Sequence, residues 1–173
     1  DVLSIIKKIL NDKNLDPKHY SPYYIRNKIS FIKSQMLSDM EIEKCFNTEI
    51  DLVVKDVYYL YQDKMVKNNS IDFDDLISKP VELFRNHNEI LEHYQEKYKY
   101  ILIDEYQDTN PVQYKLSTLL ARKHKNIFVV GDMNQSIYAF RQADYRNILN
   151  FEKDYKNAKI IKRIYNWIDL EIF

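Results

Sequence analysis

Glycine occurs once in the 173 residues, at Gly131. A loop that cradles phosphates needs several glycines, because its backbone N–H groups must approach the phosphates closely. Neither G-x-x-x-x-G-K-[ST] nor G-x-G-x-x-G can be written with one, so the chain carries no phosphate loop of the usual kind. Cysteine also occurs once, at Cys45, which excludes an internal disulfide. It reads as a buried or idle thiol in a reducing compartment. Net charge is absent too: 26 Lys and Arg balance 26 Asp and Glu. That excludes a polybasic or acidic tail but leaves room for a local basic groove. No apolar run approaches the roughly 20 residues of a membrane span. No signal peptide opens the chain, so a cytoplasmic setting away from the membrane is expected.

What is present falls into two textures. Up to about residue 98 the apolar residues recur at helical spacing. Val2, Ile5, Ile6, Ile9 and Leu10 share one face. Ser21-Pro22 is a helix start, with Ser as N-cap and Pro at the first helical position. Ile25, Ile29, Ile32 and Met36 continue its stripe to about Leu37. A third helix is expected from Thr48 to Lys67, stopped by Asn68-Asn69-Ser70. A short helix begins within Ile71-Asp-Phe-Asp-Asp-Leu-Ile77, with Pro80 expected to interrupt or restart it. Glu89 to Tyr98 is another. These stripes read as core packing.

At Tyr100 the texture changes. Ile101-Leu102-Ile103 is too short for a helix, and apolar enough to be a strand buried on both faces. Asn110-Pro111 starts a helix that runs to about His124, and Ile127–Val130 is a second strand. Strand, crossover helix, strand is a βαβ unit with a parallel pair. Asn134–Arg141 reads as a turn or short helix, Asp144–Tyr155 as a helix, and Lys159-Ile160-Ile161 as a candidate third strand.

Each strand ends in acid: Asp104 and Glu105 after the first, Asp132 after the second, with Gln135 close behind. In open α/β sheets ligands bind outside the carboxyl ends of the strands. A strand-tip acid suits a hydrated Mg²⁺, which takes one or two carboxylates plus phosphate oxygens and water. The neighbouring acid is then free to accept a proton from a water that attacks phosphate. From the pair alone, helix-cap and surface acids are the commoner reading.

The wider motif resembles a family. Asp104-Glu-Tyr-Gln-Asp-Thr-Asn110 is similar to motif II, the Walker B segment, of the UvrD/Rep/PcrA helicases of superfamily 1. Val129-Val-Gly-Asp-Met-Asn-Gln-Ser-Ile-Tyr-Ala-Phe-Arg-Gln-Ala-Asp144 is similar to their motif III, and Asn147–Ile161 to the segment after it. Ile71-Asp-Phe-Asp-Asp-Leu76 resembles the return from their helical insertion, subdomain 1B, into the first motor domain, 1A. The likeness covers nearly the whole chain and is weaker before residue 70.

The resemblance implies an α/β fold: a partial parallel sheet of a P-loop NTPase (RecA-like) motor domain, carrying an all-helical insertion and helix-dominated overall. Residues 1–70 would be the 1B-like insertion and 71–173 part of motor domain 1A. It implies a fragment of an ATP-dependent 3′–5′ DNA helicase or translocase, with ATP and Mg²⁺ as cofactors. Single-stranded DNA or single/double-strand junctions would be its partners. Asp104 would hold Mg²⁺, Glu105 would be the general base, and Gln135 would contact the γ-phosphate. Tyr138, Phe140 and Arg141 would meet single-stranded DNA, where aromatic faces stack without sequence preference. Core packing is the other reading of Tyr138 and Phe140. Asp132 would support the motif III loop. Trp167, at a broken start of motif IV, would stack on the adenine.

There are departures. Gln142 stands where the family usually has Gly, and a side chain there is expected to alter the turn. Ile168 stands where motif IV has Arg, and Ile168–Phe173 resembles nothing in the family. Two inserted nucleotides in codons for Arg-Ser-Arg-Asn-Ile yield this tail, so a shifted reading frame is expected there. The isolated chain is expected not to turn over ATP, since motif I and the second motor domain lie outside it. Two alternatives stand beside this: a non-catalytic DNA- or protein-binding module, and a fragment of a nuclease-linked helicase of the same superfamily.

Overall fold

A computed structural model describes residues 1–136, 142–144, 146–159 and 161. Among these residues the order is α1 (Val2–Asp12), α2 (Pro22–Gln35), α3 (Asp39–Lys44), α4 (Glu49–Lys67), α5 (Asp75–Asn86), α6 (Asn88–Lys97), β1 (Ile101–Ile103), α7 (Pro111–Ala121), β2 (Ile127–Val129) and α8 (Arg146–Asp154). Single 3-10 turns follow the strands, at Tyr106–Asp108 and Met133–Gln135. The protein is helix-rich with a small parallel α/β element.

Local chemistry sets most helix starts. The Ser21 side chain accepts the Tyr24 N–H above Pro22, and α2 ends at Met36 in the left-handed region. Thr48 and Asp51 cap α4 reciprocally, as Asn110 and Gln113 cap α7. A matching box, Ser38 with Glu41, opens α3, a short helix the apolar spacing did not signal. Pro80 sits inside α5 without ending it. Proline costs the Leu76 carbonyl its partner, but Val81 and Phe84 beyond it are buried and keep the helix going.

Two apolar clusters result. The first gathers Ile6, Ile9, Leu10, Ile25, Ile29, Ile32, Val54, Val57 and Tyr61 from α1, α2 and α4. The second gathers Val81, Phe84, Leu91, Val112 and Leu119 from α5, α6 and α7. Each such side chain contributes roughly 1.5–3 kcal/mol when fully buried. α2 touches both groups, packing on α1 and α4 and also on α5 and α7.

β1 and β2 are parallel neighbours, with Ile101 opposite Ile127, Leu102 opposite Phe128 and Ile103 opposite Val129. The expectation of strands buried on both faces fails. Leu102 is 75% exposed and Phe128 55%. Successive side chains alternate between faces, and only the face of Ile101, Ile103, Ile127 and Val129 is partly covered. Among the described residues the sheet has two strands. Lys159 and Ile161 lie outside any strand, and Ile160 is outside the described residues.

Candidate functional site

Both strands deliver their following loops to the same edge. The Val130 N–H donates to the Ile103 carbonyl at 2.9 Å, and the Tyr106 N–H donates back to the Val130 carbonyl at 2.8 Å. These bonds carry the pairing past the strand ends and bring residues 104–110 against 130–136. Asp104 is exposed at the tip of β1, with one carboxylate oxygen accepting the Glu105 N–H at 2.9 Å. Its other oxygen has no protein partner among the described residues. Glu105 is left-handed, φ 51° and ψ 43°. Such a conformation is uncommon for a residue with a side chain and sends the backbone sharply into the 3-10 turn.

Behind the two acids lies Gln107, 1% exposed. Its Nε2 donates to Glu105 Oε2 at 2.8 Å, and its Oε1 accepts the Asp132 N–H at 2.9 Å. Asp132 in turn accepts the Asn134 N–H on Oδ1 at 2.9 Å and Gln135 Nε2 on Oδ2 at 3.0 Å. Asp132 thus ties its own loop together. An amide nitrogen carries two hydrogens, and among the described residues that of Gln135 uses one, on Asp132. Gly131 is what lets this packing close. A Cβ there would fall 2.6 Å from Gln107 Oε1 and 3.2 Å from the Gln107 backbone nitrogen.

The far end of the first segment is anchored as well. The Thr109 carbonyl accepts the Asp144 N–H at 3.0 Å and Asn147 Nδ2 at 2.9 Å. The Asp144 carboxylate takes a two-toothed contact from Arg146, at 2.8 and 2.7 Å. That guanidinium holds the Asp144 carboxyl below its ordinary range. Tyr106 is fully buried edge-on to Phe151 of α8, and burial pushes its phenol well up.

Asp104, Glu105 and Gln135 therefore share one edge. Tyr138, Phe140, Arg141 and Trp167 lie outside the described residues. Gln107, Gly131, Thr109 and Asn147 were not singled out as site residues by sequence reasoning. A signal existed for two of them: a glutamine inside an acidic strand-tip run, and a lone glycine directly after a strand. Among the described residues no group of three or more His, Cys, Asp or Glu side chains converges as a metal cage. One exposed carboxylate oxygen on Asp104 still fits a hydrated Mg²⁺ whose remaining ligands come from water and phosphate. No described helix is long and apolar enough to cross a membrane.

Adjacent acids just past a parallel strand, beside the amide of Gln135 on the neighbouring loop, lie outside the carboxyl ends of the strands, where ligands bind in α/β sheets. A family model narrows this class. The UvrD/REP helicase N-terminal domain matches residues 1–156, and the chain belongs to that family. Among its relatives is the ATP-dependent DNA helicase PcrA of Bacillus subtilis, 51% identical over 161 residues, which are 93% of this chain and 22% of that protein. PcrA of Staphylococcus aureus is 45% identical over 161 residues, 93% of this chain and 22% of its own. PcrA of Leuconostoc citreum is 43% identical over 158 residues, 91% and 21%. The chain spans about a fifth of the length of these relatives.

Proposed function

We propose that the chain is the carboxylate-bearing portion of an ATP-dependent DNA helicase that moves 3′–5′ on single-stranded DNA. In this reading residues 1–70 are a 1B-like helical insertion and 71–173 part of a RecA-like motor domain, 1A. The supporting observation is the meeting of Asp104-Glu105 with the loop 131–136 at one sheet edge, in a chain of this family.

The residues divide the work of phosphoryl transfer. The second carboxylate oxygen of Asp104 would hold Mg²⁺. When bound, the ion neutralises charge that builds on the phosphate oxygens. Glu105 takes the proton of the attacking water. The second Nε2 hydrogen of Gln135 reaches the γ-phosphate. Tyr138, Phe140 and Arg141 contact single-stranded DNA or its junction with duplex, and Trp167 stacks on adenine. The 173-residue chain alone, without a glycine-rich phosphate loop, does not turn over ATP.

The test grafts residues 1–156 into the Bacillus subtilis relative in place of its matched segment. The chimera is expected to hydrolyse ATP in a manner stimulated by single-stranded DNA. Glu105→Gln in that chimera should lower kcat by about 10²- to 10⁴-fold, the range for removing a general base. DNA-stimulated turnover that survives Glu105→Gln would overturn the assignment. Robust turnover by the 173-residue chain alone would overturn its predicted inactivity.

A further inference from the structure

We infer that Gln107 is a positioning residue that couples the base to the phosphate-contacting loop. The inference rests on the proposed function, and deepens it at the same edge. A continuous chain of hydrogen bonds runs from Glu105 Oε2 to Gln107 Nε2 at 2.8 Å, from Gln107 Oε1 to the Asp132 N–H at 2.9 Å, and from Asp132 Oδ2 to Gln135 Nε2 at 3.0 Å. The two ends are the carboxylate that takes the proton and the amide that reaches the phosphate. Gln107 is the only side chain that touches both segments within this chain of bonds.

Its chemistry fits the position on both sides. A carboxylate only accepts and a backbone N–H only donates. A primary amide donates to the first through its nitrogen and accepts from the second through its oxygen at once. The requirement also dictates which way the amide faces. Glutamate has the same size but no donor, so it satisfies Asp132 and repels Glu105. Methionine fills similar space and satisfies neither.

The surroundings show why the carboxylate needs holding. Glu105 stands on a left-handed backbone, and neither of its carboxylate oxygens has another protein donor among the described residues. Left free, a three-torsion side chain on an exposed turn samples several directions. Gln107 is buried, and its amide oxygen occupies the space that a Cβ at Gly131 would take. A rigid, enclosed amide therefore aims a mobile carboxylate. Because the same amide grips Asp132, a shift of the loop when Gln135 meets phosphate reaches Glu105 directly. Base orientation and phosphate contact become one event.

The chimera described above reads this out in steady-state ATPase kinetics. Gln107→Glu is expected to lower kcat about 10- to 100-fold, the scale of a misplacement near 1 Å, with KM for ATP within about twofold. Gln135→Ala should then cost far less in the Gln107→Glu background than alone, because the two act through one chain. An unchanged kcat, or losses that multiply independently, overturns the inference. A chimera inactive with Gln107 intact overturns the proposed function and the inference with it; an active one indifferent to Gln107 overturns only the inference. Hydrogen exchange on the 173-residue chain supplies a readout free of catalysis. The Asp132 amide should exchange at least tenfold faster in Gln107→Met than in the unmodified chain and stay protected in Gln107→Glu. Equal protection in all three proteins overturns the bond to Asp132 and the coupling it carries.

Discussion

Gln142 holds a backbone that favours glycine, with φ 65°. The backbone is left-handed there and bears a side chain in that conformation. For a residue with a Cβ that costs roughly 1–2 kcal/mol, partly offset because glutamine has less freedom to lose on folding. Gln142→Gly should therefore stabilise the protein by about 0.5–1 kcal/mol. A rise in the urea midpoint with unchanged slope is the expected result. Glu105 carries the same strain at φ 51°, for a different reason. There the side chain faces the site, where strain is commonly stored. Glu105→Gly and Glu105→Ala both remove the bond from Gln107, and only the first relieves the backbone. The Gly variant should be the more stable of the two by about 1 kcal/mol, measured by the same unfolding curves. Neither strain was legible in one dimension. A positive φ at Glu105 follows from the bonds between Tyr106, Val130 and Ile103, which join residues far apart in sequence.

At the scale of elements, three helices meet on one buried charge cluster. Lys33 of α2 lies 2.7 Å from Asp72 and 2.8 Å from Asp75, with side chains only 5–6% exposed. The Tyr61 hydroxyl of α4 donates to Asp72 at 2.6 Å. Asp72 and Asp75 accept each other's backbone N–H groups, capping the start of α5. The sequence showed acids at a helix start, which is a local, dipole-favoured pattern. It did not show the lysine 39 positions upstream that makes them a tertiary joint. Removing one partner of a buried ion pair strands the others, at a cost of about 3–5 kcal/mol. Lys33→Met should lose that much in urea unfolding at pH 7. Acid should weaken the same joint. Burial pushes the Asp72 carboxyl up, but bonds from Lys33, Tyr61 and the Asp75 N–H outweigh it, and the group titrates below its ordinary 3.8. Asp51 of α4 follows the same pattern: burial raises it, and Thr48, Tyr24 and Lys28 pull it below 3.8. As pH falls, the unfolded chain takes up these protons first. Their contribution is intact above about pH 4 and is lost as pH falls through the lower folded values. Asp74 has the opposite sign, since burial raises it, and it softens the acid slope. Unfolding free energies from pH 6 down to pH 3 should fall, and Asp72→Asn should flatten that fall.

At the scale of the whole molecule, what the sequence conveyed and what it hid divide along range. Helix starts were legible because caps and proline act within four residues, as at Ser21-Pro22 and Asn110-Pro111. The strand-tip acids were legible because adjacency in sequence is adjacency at an edge. The face of a strand was not, since Ile101-Leu102-Ile103 reads the same whether one side is covered or two. The structure leaves Leu102, Phe128 and Val130 exposed at 75%, 55% and 49%. Leu102 and Phe128 sit side by side in the parallel register, so they form one apolar patch rather than scattered residues. Among the described residues the sheet has two strands, and an uncovered sheet edge is a ready template for another strand. Patch and edges together should make the 173-residue chain self-associate. Sedimentation velocity across a concentration series should show the average mass climbing above 21.0 kDa. Leu102→Lys with Phe128→Glu keeps the register and sets opposite charges beside each other, which is tolerated between neighbouring strands. That double variant should hold at 21.0 kDa with an unchanged circular dichroism spectrum. If the unmodified chain already stays at that mass throughout, the exposed face does not drive association. If the variant associates just as strongly, the edges drive it and the face does not.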